Sequence, residues 1–377
     1  MTSKKKLLYL AVCDPDLPVT GVTVRMGAFV KYLARDYDIT LLHMAGSGHA
    51  VDPDIEARYC DRRNRLGVSR RIRVPFSQLG YFLFSPSLYR QADRLLASED
   101  FDYLLLDYGL AAVYGLLLAK RHQIPIVYCS SNIEYRMYWE MGQRDPRRLV
   151  LTPYVYWAER GICQQASLVT TVSERDRQVY AQWLPGDRIL AIPQGFEPES
   201  VNPFYDPPPP SPPIVLFVGS FKDRNNVRAA RTIVRDIAPK VARAYPDVKF
   251  QFVGASPPSD LQAPNIELAG FVDDLHPYWQ RANLVIAPMP FAHGISTKVV
   301  SGLAFGKTVL TTPQIAAAMP RTYPHLHAVP LETFPERIVE LLAAGQSLNT
   351  AEFKTLCQDF AWPDLMARLR GNIEKYC

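Results

Sequence analysis

The chain has 377 residues, of which 48% are hydrophobic, and 42 lysines and arginines against 37 acidic residues give a net charge of +5. This composition excludes disordered, collagen-like and mini-protein classes, and the length predicts two domains of roughly 150 to 200 residues, each with its own core. The longest apolar runs are far shorter than the roughly 18 to 20 residues that cross a bilayer, which excludes a membrane-spanning class.

Three lysines at the N-terminus precede an apolar run and resemble a signal peptide, but no small-residue cleavage site follows. We therefore interpret the run as the first strand of a cytoplasmic protein. Six cysteines are scattered without a C-x-x-C pair or a histidine at metal-ligand spacing, so we expect no metal site.

Short β-branched or leucine-rich runs alternate with stretches of helical period, a pattern typical of βα units around a mostly parallel sheet. The N-terminal half has predicted strands at 7–12, 39–43, 103–106, 126–129 and 168–172, with helices at 24–34 and 111–120. The C-terminal half has predicted strands at 214–218, 249–253, 266–268, 284–287 and 308–310, with a long amphipathic helix at 227–244. The predicted fold class is α/β, with two Rossmann-like, doubly wound domains that face a central cleft.

An arginine-dense segment follows the second predicted strand. Residues 58–73 contain seven arginines and one acid, so this window carries +6 while the rest of the chain sums to −1. An aromatic-rich stretch at 76–84 comes next. We interpret 58–84 as a candidate peripheral contact with an anionic membrane, on the inner face; the alternative is a solvated loop and a helix packed on its own domain. No nucleic-acid-binding motif accompanies the arginines, so we expect no nucleic-acid partner.

Six prolines in residues 206–213 mark the break between the halves, because such a run forms a stiff extended connector. The predicted domains are 1–200 and 214–360, with the linker at 201–213. Two similar domains with a cleft between them suit a group transfer in which one domain (214–360) holds the donor molecule and the other (1–200) holds the acceptor. Residues 361–377 are predicted to form a C-terminal helix that packs back on the N-terminal domain.

Two segments of the C-terminal half favour phosphate binding. Gly219 and Ser220 follow a predicted strand, where glycine lets a ligand approach the backbone, and Lys222 and Arg224 can neutralise a diphosphate. In the second segment, a glycine-containing turn leads into an apolar helix, and the free N–H groups at its start favour an anion, with Thr297 and Lys298 adding a hydroxyl and a cation. The alternative for the second segment is an ordinary helix with Ser296 or Thr297 as its N-cap.

In order and spacing, these motifs resemble those of the GT-B glycosyltransferases, specifically the retaining family 4, also called glycosyl transferases group 1. The C-terminal half carries the resemblance along its length, through the motifs at 217–221, 225–226, 252–254, 270–278, 287–288, 294–298 and 302–313. In the N-terminal half the likeness is looser, at Gly21, Arg25, 131–135, 172–174 and 192–196.

The resemblance implies a nucleotide-sugar donor site around two loops of the C-terminal half. Gly219 and Ser220 would border the diphosphate, Lys222 and Arg224 would approximate the family's cationic pair, and Phe271 and Val272 would hold the base. The residues that would cradle the phosphates are Gly294, Ile295, Ser296 and Thr297. Stabilisation of the leaving diphosphate, with Lys298 added, would carry catalysis without a protein nucleophile and without a metal ion or other cofactor.

In the N-terminal half, the resemblance implies that Asp107 and Tyr108, at a strand end, are offered to the sugar or acceptor; alternatively, Asp107 caps the next helix. Asn132 and Glu134 follow another strand end and are candidate acceptor contacts, with a structural turn as the alternative. Gly21 and Arg25 lie in the loop that faces the cleft in the family.

Two positions depart from the family pattern, which places two glutamates eight positions apart on the donor loop and helix. Here these positions are His293 and Ser301. Ser301 is shorter and neutral and offers the ribose a weaker contact, whereas His293 can donate or accept towards the donor sugar, and its charge can change near physiological pH. The replacements bear on the identity of the donor.

The predicted function is retaining transfer of a hexose from a nucleotide-diphosphate sugar to a glycan or lipid-linked acceptor, in envelope or exopolysaccharide synthesis. Two alternatives remain open at this point. One is a nucleotide-sugar epimerase on the same fold, and the other is a catalytically silent binding protein, which the absence of the two glutamates favours.

Overall fold

The computed structural model describes residues 4–11, 21–44, 65–68, 86–107, 112–143, 145–201, 211–289, 294–345 and 350–377. The chain divides into two compact units: the first is Met1–Gln194 with Leu365–Cys377, and the second is Gly195–Asp364. None of the described helices is both long and apolar enough to cross a membrane.

The first unit is built on a parallel sheet of seven strands in the order β3-β2-β1-β4-β5-β6-β7. The strands are β1 (Lys5–Ala11), β2 (Tyr37–Met44), β3 (Arg65–Val68), β4 (Tyr103–Asp107), β5 (Ile126–Cys129), β6 (Leu168–Thr171) and β7 (Ile189–Ala191). The described α-helices between them are α1 (Gly21–Leu33), α2 (Pro86–Ser98), α3 (Ala112–His122), α4 (Glu134–Gly142), α5 (Pro146–Gln165) and α6 (Glu174–Tyr180). Every residue of β4, β5 and β6 is buried, as expected of parallel strands covered on both faces.

The second unit has a parallel sheet of six strands in the order β10-β9-β8-β11-β12-β13. They are β8 (Ile214–Val218), β9 (Lys249–Val253), β10 (Ile266–Gly270), β11 (Leu284–Ala287), β12 (Val309–Thr311) and β13 (Leu326–Ala328). Its described α-helices are α7 (Arg224–Thr232), α8 (Ala238–Val241), α9 (His276–Arg281), α10 (Thr297–Ala304), α11 (Pro313–Ala316), α12 (Phe334–Ala344) and α13 (Thr350–Phe360). The last helix, α14 (Trp362–Tyr376), crosses the boundary at Leu365.

The α/β class and the doubly wound parallel sheets are confirmed, and the strands β5, β8, β9 and β11 have the predicted bounds. The prediction of one long helix at 227–244 is wrong in one respect. A π-helical turn at Ile233–Ile237 interrupts the α-helix in this stretch. Pro239 follows this turn and has no N–H to continue the regular ladder, which accounts for the interruption.

The boundary between the units falls after Gln194, earlier than the predicted end of the first domain at residue 200. Phe196 explains the difference, since its N–H donates to the Phe360 carbonyl at 2.9 Å and its carbonyl accepts from Trp362 N–H at 3.0 Å. Of the predicted linker 201–213, residues 202–210 lie outside the described part of the chain. These contacts tie the stretch after Gln194 to the second unit.

Candidate functional site

The strand order of the second unit identifies where a ligand binds on such a sheet. From β8 the chain winds outward through β9 and β10, and it then returns to place β11 on the other side of β8. In open α/β sheets, ligands bind outside the carboxyl ends of the strands at this point of reversal. The segments that follow β8 and β11 contain most of the residues predicted for the donor.

The turn after β8 is held in close contact with the next two strands. Gly219 N–H donates to the Val253 carbonyl at 2.9 Å, and Gly254 N–H donates to the Gly270 carbonyl at 2.8 Å. Gly254 has a φ of +155°, and a Cβ there would lie 2.0 Å from the Gly219 carbonyl oxygen. A side chain at 254 would therefore push the Gly219 turn away from its position.

Helix α7 begins directly after this turn with Asp223 as its N-cap, whose side chain accepts from Asn225 N–H at 2.8 Å. The two predicted cations, Lys222 and Arg224, flank the cap and are exposed. Ser220 is exposed as well. The turn thus presents two cations and a hydroxyl to solvent at the carboxyl edge of the sheet.

Lys298, on the first turn of α10, connects the segments that follow β11 and β8. Its Nζ donates to Asn226 Oδ1 at 2.7 Å, and Asn226 Nδ2 donates to the Ser220 carbonyl at 2.9 Å. The ammonium also lies 4.6 Å from the centre of the Phe217 ring. Burial lowers the pKa of Lys298 to about 8, against a smaller opposing effect of Asp223. Lys298 is 8% exposed and connects the two segments from within the unit, and its predicted direct role stays a prediction.

The residues before Lys298 form the start of α10. Gly294 has a φ of +72°, a left-handed conformation that favours glycine, and Ser296 is the N-cap residue without a side-chain cap hydrogen bond. The ordinary cap, with a Ser296 hydroxyl bond to the helix, is therefore not formed. Thr297 is exposed, whereas Gly294, Ile295, Ser296 and Ser301 are half-buried. This helix start is an N-terminus of the kind that attracts anions.

Phe271 and Val272 follow β10 at the same edge of the sheet. Phe271 is 71% exposed, which is unusual for a phenylalanine, whereas Val272 packs partly against the core. An exposed aromatic ring at this edge of the sheet can stack on the face of a nucleobase.

In the first unit, Arg25 and Asp107 are brought together inside the protein. Arg25 is 2% exposed and Asp107 is fully buried, with Arg25 Nη1 3.9 Å from Asp107 Oδ1. The guanidinium also donates to Thr170 Oγ1 at 3.0 Å, and Tyr9 hydroxyl donates to Asp107 Oδ2. These contacts join the ends of β1, β4 and β6, so both residues support the carboxyl edge of the first sheet.

Glu134 is buried at the start of α4 next to a second buried carboxyl, Glu159. Glu159 accepts from the backbone N–H groups of Glu134 at 2.9 Å and Tyr135 at 3.1 Å, and from the hydroxyl of Tyr180. Neither carboxyl oxygen of Glu134 has a hydrogen-bond partner among the described residues. Burial, reinforced by Glu159, raises the pKa of Glu134 well above its usual value. With 1% exposure, Glu134 is an internal residue of the first unit, and its predicted acceptor contact stays a prediction.

Asn132 is half-buried just before α4, and its carbonyl accepts from Ser130 Oγ at 2.7 Å and from the Tyr180 hydroxyl at 3.3 Å. Gly21 is the first residue of α1. These contacts hold the turn after β5 in place, and the predicted acceptor contact of Asn132 stays a prediction.

Several predicted features lie outside the described residues: His293, Tyr108 and, apart from the backbone of β3, the segment 58–84. Within the described ranges, no group of three or more His, Cys, Asp or Glu side chains is arranged to hold a metal ion. The prediction that no metal is needed stays a prediction.

Asn226 and Glu159 support the two candidate sites, and the sequence analysis assigned neither of them a role there. Asn226 lies under Gly219, where a Cβ would come within 2.8 Å of its amide, and this close packing has no signal in the sequence beyond an asparagine at a helix start. Glu159 caps α4 across a separation of 25 residues, which no local pattern indicates.

Two family models match the chain. The model described as Glycosyltransferase Family 4 matches residues 19–200, and the model described as Glycosyl transferases group 1 matches residues 212–345. No curated protein sequence matches the chain.

Solved structures share this fold over the whole chain. A sucrose-phosphate synthase from Thermosynechococcus elongatus has 18% identity and a TM-score of 0.72, and covers 98% of this chain and 99% of its own. The Anabaena protein HepE, in complex with UDP and glucose, has 14% identity and a TM-score of 0.67, with 98% and 99% covered. The lipopolysaccharide outer core galactosyltransferase WaaB, in its apo form, has 9% identity and a TM-score of 0.66, with 99% and 100% covered.

The family matches and the arrangement of the two sheets agree on one class of enzyme. The two models together span most of the chain, each on one half, and the structural relatives have both halves in the same order. The chain belongs to the group 1, family 4 type of GT-B glycosyltransferases.

Proposed function

We propose that this glycosyltransferase moves a hexose, with retention of anomeric configuration, from a nucleoside-diphosphate sugar to a glycan or lipid-linked acceptor in envelope or exopolysaccharide synthesis. The donor site in this proposal is the carboxyl edge of the second sheet, at the reversal between β8 and β11. The first unit is proposed to receive the acceptor.

The hydrogen bond from Lys298 to Asn226 is the observation that carries the donor-site proposal. It ties the N-terminus of α10 to the Gly219–Ser220 turn through a chain of two hydrogen bonds, of 2.7 and 2.9 Å. Two elements that each attract phosphate are thereby held side by side, one through helix amides and the other through exposed cations. A diphosphate has two phosphoryl groups and is the ligand that such a pair fits.

The same arrangement supports a mechanism. When the bond between the anomeric carbon and the diphosphate breaks, negative charge accumulates on the leaving phosphate. Donors that are already in position stabilise this charge more than they stabilise the intact donor, because they need no reorganisation during the reaction. We assign this role to Lys222, Arg224 and the N–H groups of residues 294–297. In a retaining transfer, the acceptor hydroxyl attacks from the face that the diphosphate leaves and passes its proton to an oxygen of the leaving diphosphate.

The nucleotide is proposed to be held by Phe271 and Val272 at the base and by Ser301 at the ribose. Ser301 is half-buried on α10 and has one hydroxyl, so its contact is weaker than a carboxylate would make. The structure of HepE with UDP and glucose makes UDP-glucose the first donor to test. The likeness to WaaB, which acts on lipopolysaccharide outer core, supports a glycan or lipid-linked acceptor.

A calorimetric titration with UDP-, GDP- and other nucleotide sugars tests the donor site, followed by NMR of the anomeric configuration of the product. We expect one nucleotide class to bind, and the double variant Lys222→Ala, Arg224→Ala to weaken binding by about 10- to 100-fold, as for two charge-assisted contacts. Arg235→Ala is the matched control, since Arg235 is an exposed arginine of the same unit paired with Asp236.

Each outcome has a distinct meaning. No binding of any nucleotide sugar would contradict the donor site, and inverted product would contradict retention. Binding without turnover on a broad panel of glycan and lipid-linked acceptors would favour a catalytically silent binding protein.

A further inference from the structure

His276 is the first residue of α9, and both nitrogens of its imidazole ring have a partner. Nδ1 lies 2.7 Å from Asp274 Oδ1, and Nε2 lies 2.8 Å from the carbonyl oxygen of Ser200. A carboxylate oxygen and a carbonyl oxygen only accept hydrogen bonds, so each ring nitrogen must carry a proton to make its contact. The arrangement therefore requires the imidazolium form of His276.

Asp274 supplies the negative charge beside this ring. Its Oδ1 accepts from the backbone N–H of His276 at 2.9 Å as well as from the ring. The bond from the backbone N–H, followed by that from the ring, lowers the pKa of Asp274, so its side chain is a carboxylate at neutral pH. The dipole of a helix opposes a cation at its N-terminus, and the carboxylate offsets this effect.

Among the described residues, Asp274 is the charged group in contact with the ring. The ring also meets Phe305, the residue after α10, edge to face with 5.2 Å between the ring centres. Further charged side chains of the surrounding segments are the acids Asp273, Glu197 and Glu199 and the cations Arg281, Lys298 and Lys307. Two of the cations lie at the other end of α9, where Lys307 donates to the Gln280 carbonyl at 2.9 Å.

The contact with Ser200 joins two segments of the second unit that are 76 residues apart. One is the 3-10 turn Pro198–Ser200. The other is the loop 271–275 between β10 and α9, which contains Phe271 and Val272, the residues predicted for the base. Both segments reach the same hydrophobic core, so His276 adds a polar link between segments that are already close.

A neutral imidazole has one N–H and can keep only one of the two contacts. The proton stays on Nδ1, because a hydrogen bond to a carboxylate is about twice as strong as one to a neutral acceptor. Nε2 then turns a lone pair towards the Ser200 carbonyl, and the two acceptors repel each other. Loss of the second proton thus releases the loop 271–275 from the turn Pro198–Ser200.

We propose that His276 is a positioning residue whose imidazolium form holds the loop 271–275 in place for the nucleobase. Histidines change charge between about pH 5 and pH 8, so the hold, and with it the affinity for nucleotide, weakens as the pH rises through this range. The inference rests on the proposed function, in which Phe271 and Val272 hold the base. The hold itself belongs to the free protein and can be measured without nucleotide.

Two substitutions separate the charge of His276 from its hydrogen bonds. In Asp274→Asn, the amide can accept from the backbone N–H and donate to Nδ1, so that a neutral imidazole keeps its N–H for Ser200. In His276→Gln, the side chain is neutral at every pH, and its single nitrogen cannot occupy both ring positions. His327→Gln is the matched control, because His327 is a half-buried histidine of β13, at the opposite edge of the sheet from β10.

The assay is hydrogen exchange of the free protein at about pH 6 and about pH 8, corrected for the chemical exchange rate, in peptides that cover 195–201 and 271–279. Calorimetric titration with UDP at the same two pH values reports the affinity. Each result is expressed relative to Asp274→Asn at the same pH, because the nucleotide phosphates and Lys298 titrate in all of the proteins alike.

We expect the wild type to lose protection in both peptides, and about 3- to 10-fold in UDP affinity, between about pH 6 and about pH 8 relative to Asp274→Asn. This is the effect of one hydrogen bond, and it is small because the His276 side chain is 47% exposed. The variant His276→Gln should behave at both pH values as the wild type does at the higher one. The control His327→Gln should follow the wild type.

Three results would decide against the proposal or its basis. Equal protection of the two wild-type peptides at both pH values, or the same pH dependence in Asp274→Asn as in the wild type, would overturn the hold. A change in exchange without a change in relative UDP affinity would overturn the positioning role. The expected exchange pattern without UDP binding in any of the proteins would support the hold of the loop and contradict the proposed donor site instead.

Discussion

The variant Lys298→Met tests whether the buried ammonium has the environment that the structure gives it. Methionine has an unbranched side chain one heavy atom shorter than that of lysine, so the substitution removes the charge and the hydrogen bond to Asn226 with little change in shape. Burial lowers the pKa of Lys298 to about 8 from a value of 10.5 in the unfolded chain. Between these two pH values, the unfolded chain binds more protons at this residue than the folded chain does.

The sign of the effect follows from this difference. Because the unfolded chain holds the extra proton, a rise in pH penalises the unfolded state more, and the contribution of Lys298 to stability increases. From about pH 7 to about pH 9.5, the gain is about 2 kcal/mol for these two pKa values. Other groups titrate over this range, including buried tyrosines, but they are common to the wild type and the variant and cancel in the comparison.

The assay is urea unfolding of the protein at about pH 7 and about pH 9.5. Pulsed hydrogen exchange of peptides from α10 reports the unfolding of the second unit. We expect the wild type to gain about 2 kcal/mol relative to Lys298→Met as the pH rises, while Lys240→Met, which removes an exposed lysine of this unit, behaves like the wild type. An equal pH dependence in Lys298→Met and the wild type would refute the buried position of this ammonium.

Three further substitutions have expected outcomes. Gly254→Ala should destabilise the second unit by at least about 2 kcal/mol and abolish nucleotide binding, as measured by unfolding and calorimetry, because its Cβ would collide with the Gly219 carbonyl. Arg25→Met should cost about 3 to 5 kcal/mol in urea unfolding by leaving Asp107 buried without its cation, and an unchanged midpoint would contradict this pairing. The contribution of Glu134 to stability should fall as the pH rises above 4.5, because the unfolded chain loses the Glu134 proton first; the wild type should therefore lose stability relative to Glu134→Gln in urea unfolding between acidic and neutral pH.

The sequence predicted the strands of both sheets well, because buried parallel strands are short apolar runs with clear ends. The strands it missed are β3, β7 and β13, which have three or four residues. Runs of this length carry little periodicity, and β3 lies within the arginine-dense segment. Their pairing depends on neighbours that are distant in sequence, so it becomes visible only in the folded sheet.

The positions of the donor-site segments could be predicted from the sequence, but the burial of individual side chains could not. Lys298, Arg25 and Glu134 were all expected to face a ligand, and all three are buried. A charged side chain next to a strand end can point outward or inward, and its partner decides which. Lys298 is paired with Asn226 and Arg25 with Asp107, while Glu159 lies next to Glu134. In each case the two residues are far apart in sequence.

Hydrogen exchange of the protein with and without UDP is the measurement that tests the donor site most directly. The account predicts slower exchange in two segments of the second unit, 219–226 and 294–301, together with the residues after β10, and no comparable change at the opposite edge of the sheet. Protection elsewhere, with these segments unchanged while UDP is bound, would contradict the assignment of the donor site to the reversal between β8 and β11.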